Sequence, residues 1–168
     1  MRIAAVLLGL ATLAGCGLQP MYAGGGSGAV AQGLGAIEVS PIEGRAGWLV
    51  RDALIDRLGV AGSSGETSRY RLDVRLDDRL EGLAVLSDDT VGRERRTLRA
   101  RYQLVDLGAD RIVFDGTAGS DAGIDVVSSE YATIAAEQTA LENLAQDVAD
   151  RIVTNVALKL RGGMAGER

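Results

Sequence analysis

The chain has 168 residues, a formal net charge of -5, one cysteine and no histidine. Its length fits one domain, or a domain with a tail, and a hydrophobic content of 46% is enough to build a core. The missing histidine excludes Ser-His-Asp and Cys-His catalysis, one cysteine cannot form an internal disulfide or a CxxC knuckle, and an acidic chain with 4% aromatics is poorly equipped to hold nucleic acid.

Met1-Arg2 opens the chain with one positive charge, and Ile3 to Ala14 follows as an uncharged apolar run. It has the length of a signal-peptide core and is too short to span a bilayer. It ends Leu13-Ala14-Gly15-Cys16, small residues followed by a thiol that can accept a diacylglyceryl group. This run resembles the lipobox of bacterial lipoproteins. The alternative is an ordinary secretory signal with a chance cysteine. Residues 1–15 are therefore expected to be a lipoprotein signal peptide and Cys16 the lipidation site. The covalent lipid is the one non-protein group expected, with no other cofactor. Buried acyl chains contribute about 0.8 kcal/mol per CH2, so several chains give a lasting anchor. Gly17, in place of the aspartate that retains lipoproteins in the inner membrane, points to the outer one. The glycine-rich stretch 23–36 reads as a flexible tether, completing a segment 16–36 ahead of an α+β domain over 37–162. Residues 163–168 read as a frayed tail.

Ile37-Glu38-Val39-Ser40 alternates apolar and polar before Pro41, which predicts a short edge strand. Val50, Leu54 and Leu58 recur every fourth residue, which predicts a helix over 47–59 that stops at Gly59. Residues 61–65 read as a loop. Tyr70, Leu72, Val74 and Leu76 alternate with Arg71, Asp73, Arg75 and Asp77, and the apolar parity shifts near Gly82. That predicts a half-buried strand with a bulge. After a turn at 87–90, Leu98, Ala100, Tyr102 and Leu104 alternate with polar residues as the returning arm of a hairpin. A fourth strand is predicted over 111–118 and a loop over 119–127. Ser128 or Ser129 can cap a final helix that runs to Gly162-Gly163. Ile134, Leu141, Leu144, Val148, Ile152 and Val156 would form its buried face. The expected fold is α+β, a single antiparallel-rich four-stranded sheet with two helices packed on one face, in the order β-α-β-β-β-α. The other sheet face would be charged.

Cys16-Gly17-Leu18-Gln19-Pro20-Met21-Tyr22 resembles the mature start of the LPS-assembly lipoproteins of the LptE family. Residues 37–44, 49–54, 98–106 and 125–132 follow that family's elements in order. The resemblance implies a non-enzymatic outer-membrane lipoprotein, lipid-anchored with its domain facing the periplasm and a barrel lumen. It also implies a heterodimer in which the lipoprotein plugs a large β-barrel partner similar to LptD, assists its assembly, and has lipopolysaccharide as a candidate ligand. A charged second sheet face suits a polar barrel interior. The competing readings are an auxiliary lipoprotein of a lipid-transport ABC system and, less favoured, a periplasmic hydrolase.

Arg93, Arg95, Arg96, Arg99 and Arg101 crowd one strand. Arginine grips phosphate with a bidentate fork, so these are the candidate contacts to lipopolysaccharide phosphate. The plainer reading, and the favoured one, pairs them with Asp73, Asp77 or Asp78 across the hairpin. Trp48 and Tyr22 could touch a partner, but Trp48 is expected in the core. Asp88-Asp89 lacks calcium-loop spacing and reads as a solvated turn. No catalytic residue and no metal ligand is assigned.

Overall fold

The computed structural model describes residues 28–61, 68–85 and 91–166. The elements, in chain order, are α1 (Ala29–Gly35), β1 (Ile37–Val39), α2 (Gly44–Ala61), β2 (Tyr70–Val85), β3 (Val91–Asp106), β4 (Arg111–Asp125) and α3 (Glu130–Gly166). The sheet order is β1-β2-β3-β4. β2 pairs antiparallel with β3, and β3 antiparallel with β4. β1 pairs parallel with β2, Ile37 opposite Tyr70 and Val39 opposite Leu72, so the sheet is mixed. A parallel neighbour needs a crossover, and α2 supplies it.

The amphipathic patterns find their partners. Val50, Leu54 and Leu58 of α2 are buried with Leu141, Leu144, Val148, Ile152 and Val156 of α3. Beneath them lie Leu72 and Val74 of β2, then Leu98, Ala100, Tyr102 and Leu104 of β3. Burying each Leu or Val contributes about 1.5–3 kcal/mol, so this layer between helices and sheet is the main cohesive term. The bulge falls where the parity shifts, with the register slipping between Gly82 and Val85.

Four expectations are corrected. Residues 29–35, grouped by composition with the flexible tether, form α1, and its Leu34 is fully buried in the core. The fold therefore has three helices. β4 continues through the expected loop to Asp125. Its glycines are sheltered by side chains from β3: the Tyr102 ring lies over Gly116, and Arg99 over Gly119. A Cβ on Gly116 would stand 2.8 Å from the Tyr102 hydroxyl. Such cross-strand cover supports residues of weak strand propensity. The final helix passes Gly162-Gly163 and ends at Gly166. Its 37 residues span about 55 Å. Finally, Ile134 is 43% exposed, because the buried stripe of α3 begins only at Leu141, apart from Thr133 at the helix start. Thr133 ties that start: its hydroxyl accepts from the Val127 N–H at 3.3 Å.

Candidate functional site

The alternation that buries one face of the sheet exposes the other as a lattice of charge. Across β2, β3 and β4 the register sets Asp73 beside Gln103 and Asp115, Arg75 beside Arg101 and Thr117, and Asp77 beside Arg99 and Gly119. Much of this lattice is internally matched. Arg71 donates to Asp73 at 3.1 Å, and the Ser40 hydroxyl donates to the same carboxylate at 2.5 Å. Arg79 bonds Asp77, Arg93 pairs with Asp125 at 3.3 Å, and Arg101 pairs with Asp115 at 3.1 Å. Gln103 and Arg101 together hold the Asp115 carboxyl below its ordinary value.

Among the described residues three arginines of this face are left over, Arg75, Arg95 and Arg99. Arg75 stands directly opposite Arg101, like charge against like, a destabilising pairing in an antiparallel sheet. Arg99 is one pair further along and lies flat on Gly119. Among the described residues neither Arg75 nor Arg99 has a carboxylate within 4 Å. Both border a cleft of 990 Å³ between the sheet and α3, whose lining also includes the helix-facing Leu76, Ala100 and Ala118, then Arg101, Thr117 and Gly119 and, from α3, Asp150, Arg151, Thr154 and Asn155. The helix closes onto this cleft through named bonds. The Arg151 guanidinium donates to the Gly119 carbonyl, and the Asn155 amide donates to the Tyr102 hydroxyl at 3.1 Å. Both carboxylates in the lining are already engaged, Asp77 by Arg79 and Asp150 by Arg57. The cleft surface is largely apolar, and it is the arginines bordering it, with Arg75 and Arg99 free of carboxylates, that suit an anion with several oxygens.

The five arginines singled out in the sequence separate by parity. Arg99 and Arg101 stay on the uncovered face and border the cleft. Arg93 and Arg95 share their face further toward the hairpin tip, beside Asp125 and Gly123. Arg96 points to the helix side, where it forks onto Asp78 at 2.9 and 2.7 Å and donates to the Glu137 carbonyl at 3.1 Å. Its role is to tie the hairpin to α3. Sequence alternation puts Arg75 on the charged face but outside the five candidate ligand contacts, and Arg151 is not singled out at all. What marks Arg75 for the site is its place opposite Arg101 in the register; no sequence signal places Arg151, which arrives through the packing of α3. Trp48, expected in the core, is 65% exposed on α2. Cys16, Tyr22 and Asp88-Asp89 lie outside the described residues.

A family model for lipopolysaccharide assembly, LptE, matches residues 34–156. Among solved structures, a candidate lipoprotein from Caulobacter crescentus is 28% identical with a TM-score of 0.67, covering 81% of this chain and 98% of that one. Lipoprotein B from Nitrosomonas europaea is 14% identical with a TM-score of 0.58, over 78% of this chain and 91% of that one. The rare lipoprotein B from Shewanella oneidensis is 15% identical with a TM-score of 0.53, over 79% and 98%. The last two show a shared fold. No curated protein matches the chain.

Proposed function

The chain belongs to the LptE lipopolysaccharide-assembly family, and we propose that it works there as a non-catalytic outer-membrane lipoprotein, anchored through Cys16 and seated in the lumen of an LptD-like β-barrel. The family match over residues 34–156 carries this reading. The uncovered sheet face supports it, because a plug in a polar lumen must present matched charge over a broad area. Arg75, Arg99 and Arg101 are the contacts we assign to lipopolysaccharide phosphate; Arg93 and Arg95 extend the same face toward the tip, and Arg96 is kept for structure.

The partner is tested by purifying the tagged, detergent-extracted chain and identifying what comes with it. A β-barrel in equal amount is expected. Recovery of an ABC permease instead would replace this reading with that of a transport auxiliary. The ligand is tested with lipopolysaccharide and its dephosphorylated form. Arg75→Ala with Arg99→Ala should weaken binding of the first and leave the second unchanged. Equal binding of wild type and variant would remove the cleft from the ligand path.

A further inference from the structure

The opposite side of the molecule bears a second, chemically different surface. α2 and α3 leave a groove of 480 Å³ between them, lined among others by Trp48, Ala53, Ile55 and Ala145. Trp48 is the sole tryptophan and is 65% exposed, and Ile55, two turns along α2, is 43% exposed. Apolar side chains of this size standing in water mark a contact surface when they sit together in a groove. The rim is acidic. Asp52 and Asp56 on α2 and Glu142 on α3 are exposed, and among the described residues none has a cation within 4 Å. The one cation in the lining, Arg57, is already taken: it forks onto Asp150 and donates to the Ala53 carbonyl at 3.2 Å. A tryptophan face among unpaired carboxylates selects a cation on an aliphatic stem, which pairs with the acid and stacks on the ring.

We propose that this groove seats a lysine- or arginine-bearing strand of the barrel wall, an inference that rests on the partner given under Proposed function. Spacing favours a strand. Asp52 and Asp56 are one helical turn apart, about 6 Å along the axis. Alternate residues of a strand are about 6.6 Å apart and point to the same side, so two lumen-facing cations of one wall strand meet both acids. Trp48 then packs on their stems. The molecule thus meets this wall strand through an acidic, apolar helix groove, on the side away from the arginine-bearing sheet face.

The test places a photo-crosslinking residue at position 48 of the tagged full-length chain, co-expressed with its barrel. The same chain is made with Asp52→Lys, Asp56→Lys and Glu142→Lys together, and with the milder Asn and Gln replacements. All three sites are exposed, so the fold should survive, which circular dichroism checks. The expected result is a crosslink to the barrel that falls at least about tenfold on charge reversal and less on neutralisation. Crosslinking of position 48 to lipopolysaccharide or to a second copy of this chain overturns the assignment. So does a crosslink that the triple reversal leaves unchanged. A wild-type chain that brings no barrel at all would instead sink the proposed function, and the two failures are distinguishable in one purification.

Discussion

Two glycines of α2 should respond to the same substitution with opposite sign. A helix-interior glycine replaced by alanine gains about 1 kcal/mol from backbone entropy. At Gly59 nothing lies within 4 Å of the added Cβ, so Gly59→Ala should keep that gain. At Gly47 the Cβ would stand 2.6 Å from the Ile42 carbonyl oxygen and 2.7 Å from its carbon. That obstacle is main chain, in the short link from β1 to α2, and it cannot swing aside as a side-chain end would. Overpacking of this kind costs about 1–3 kcal/mol, toward the upper end when backbone must move. Gly47→Ala should therefore lose about 1–2 kcal/mol net, lowering Tm by roughly 2–8 °C, while Gly59→Ala raises it by about 2–4 °C. Thermal and urea unfolding followed by circular dichroism read both. A Gly47→Ala protein as stable as wild type would refute the tight seating of α2, and with it the placement of the adjacent Trp48. Equal losses at both positions would show that helix propensity, and not the Ile42 contact, had been misjudged.

Three further outcomes are expected. Leu98 is fully buried and Tyr131 is 89% exposed, so Leu98→Ala should cost about 2–5 kcal/mol in urea unfolding and Tyr131→Ala under about 0.5. The Arg96–Asp78 fork is largely covered, with side-chain exposures of 17% and 26%, so a double-mutant cycle should give about 1 kcal/mol or more of coupling, and the exposed Arg79–Asp77 pair none that is measurable. The hydrogen bond from Arg57 holds the Asp150 carboxyl below its ordinary value of 3.8. The unfolded chain therefore binds that proton at higher pH than the folded one, so this stability is present above about pH 4 and lost as pH falls through the lower folded value. Asp150→Asn should flatten that acid limb, and a limb unchanged in the variant would show that the pair contributes nothing.

The sequence made the hairpin legible because it obeys a period of two: Tyr70 to Leu76 and Leu98 to Leu104 each carry a clean apolar face, and the slip at Gly82 appears as a bulge. The extension of β4 and the helix α1, which were missed, depend on what lies across from them. Gly119, in the expected loop, is a strand residue because Arg99 covers it, and no local propensity records that cover. α1 forms in a glycine-rich stretch because Leu34 finds the core. The parallel pairing of β1 depends on where α2 returns the chain. The candidate site divides in the same way. Parity alone sends Arg96 to the face opposite Arg99 and Arg101, whereas Arg151 reaches Gly119 only through tertiary packing. Trp48 misled because tryptophan is a common core residue, and α2 turns it to solvent.

The most direct measurement removes the protein from its own cell. The chain is placed under a titratable promoter, and newly made lipopolysaccharide is followed to the outer surface by its access to an external label. Surface arrival should fall in step with the chain while lipopolysaccharide synthesis continues, and the wild-type gene should restore it where the Cys16→Ala form restores less. Undiminished arrival of lipopolysaccharide at the surface in depleted cells would contradict a role in its assembly.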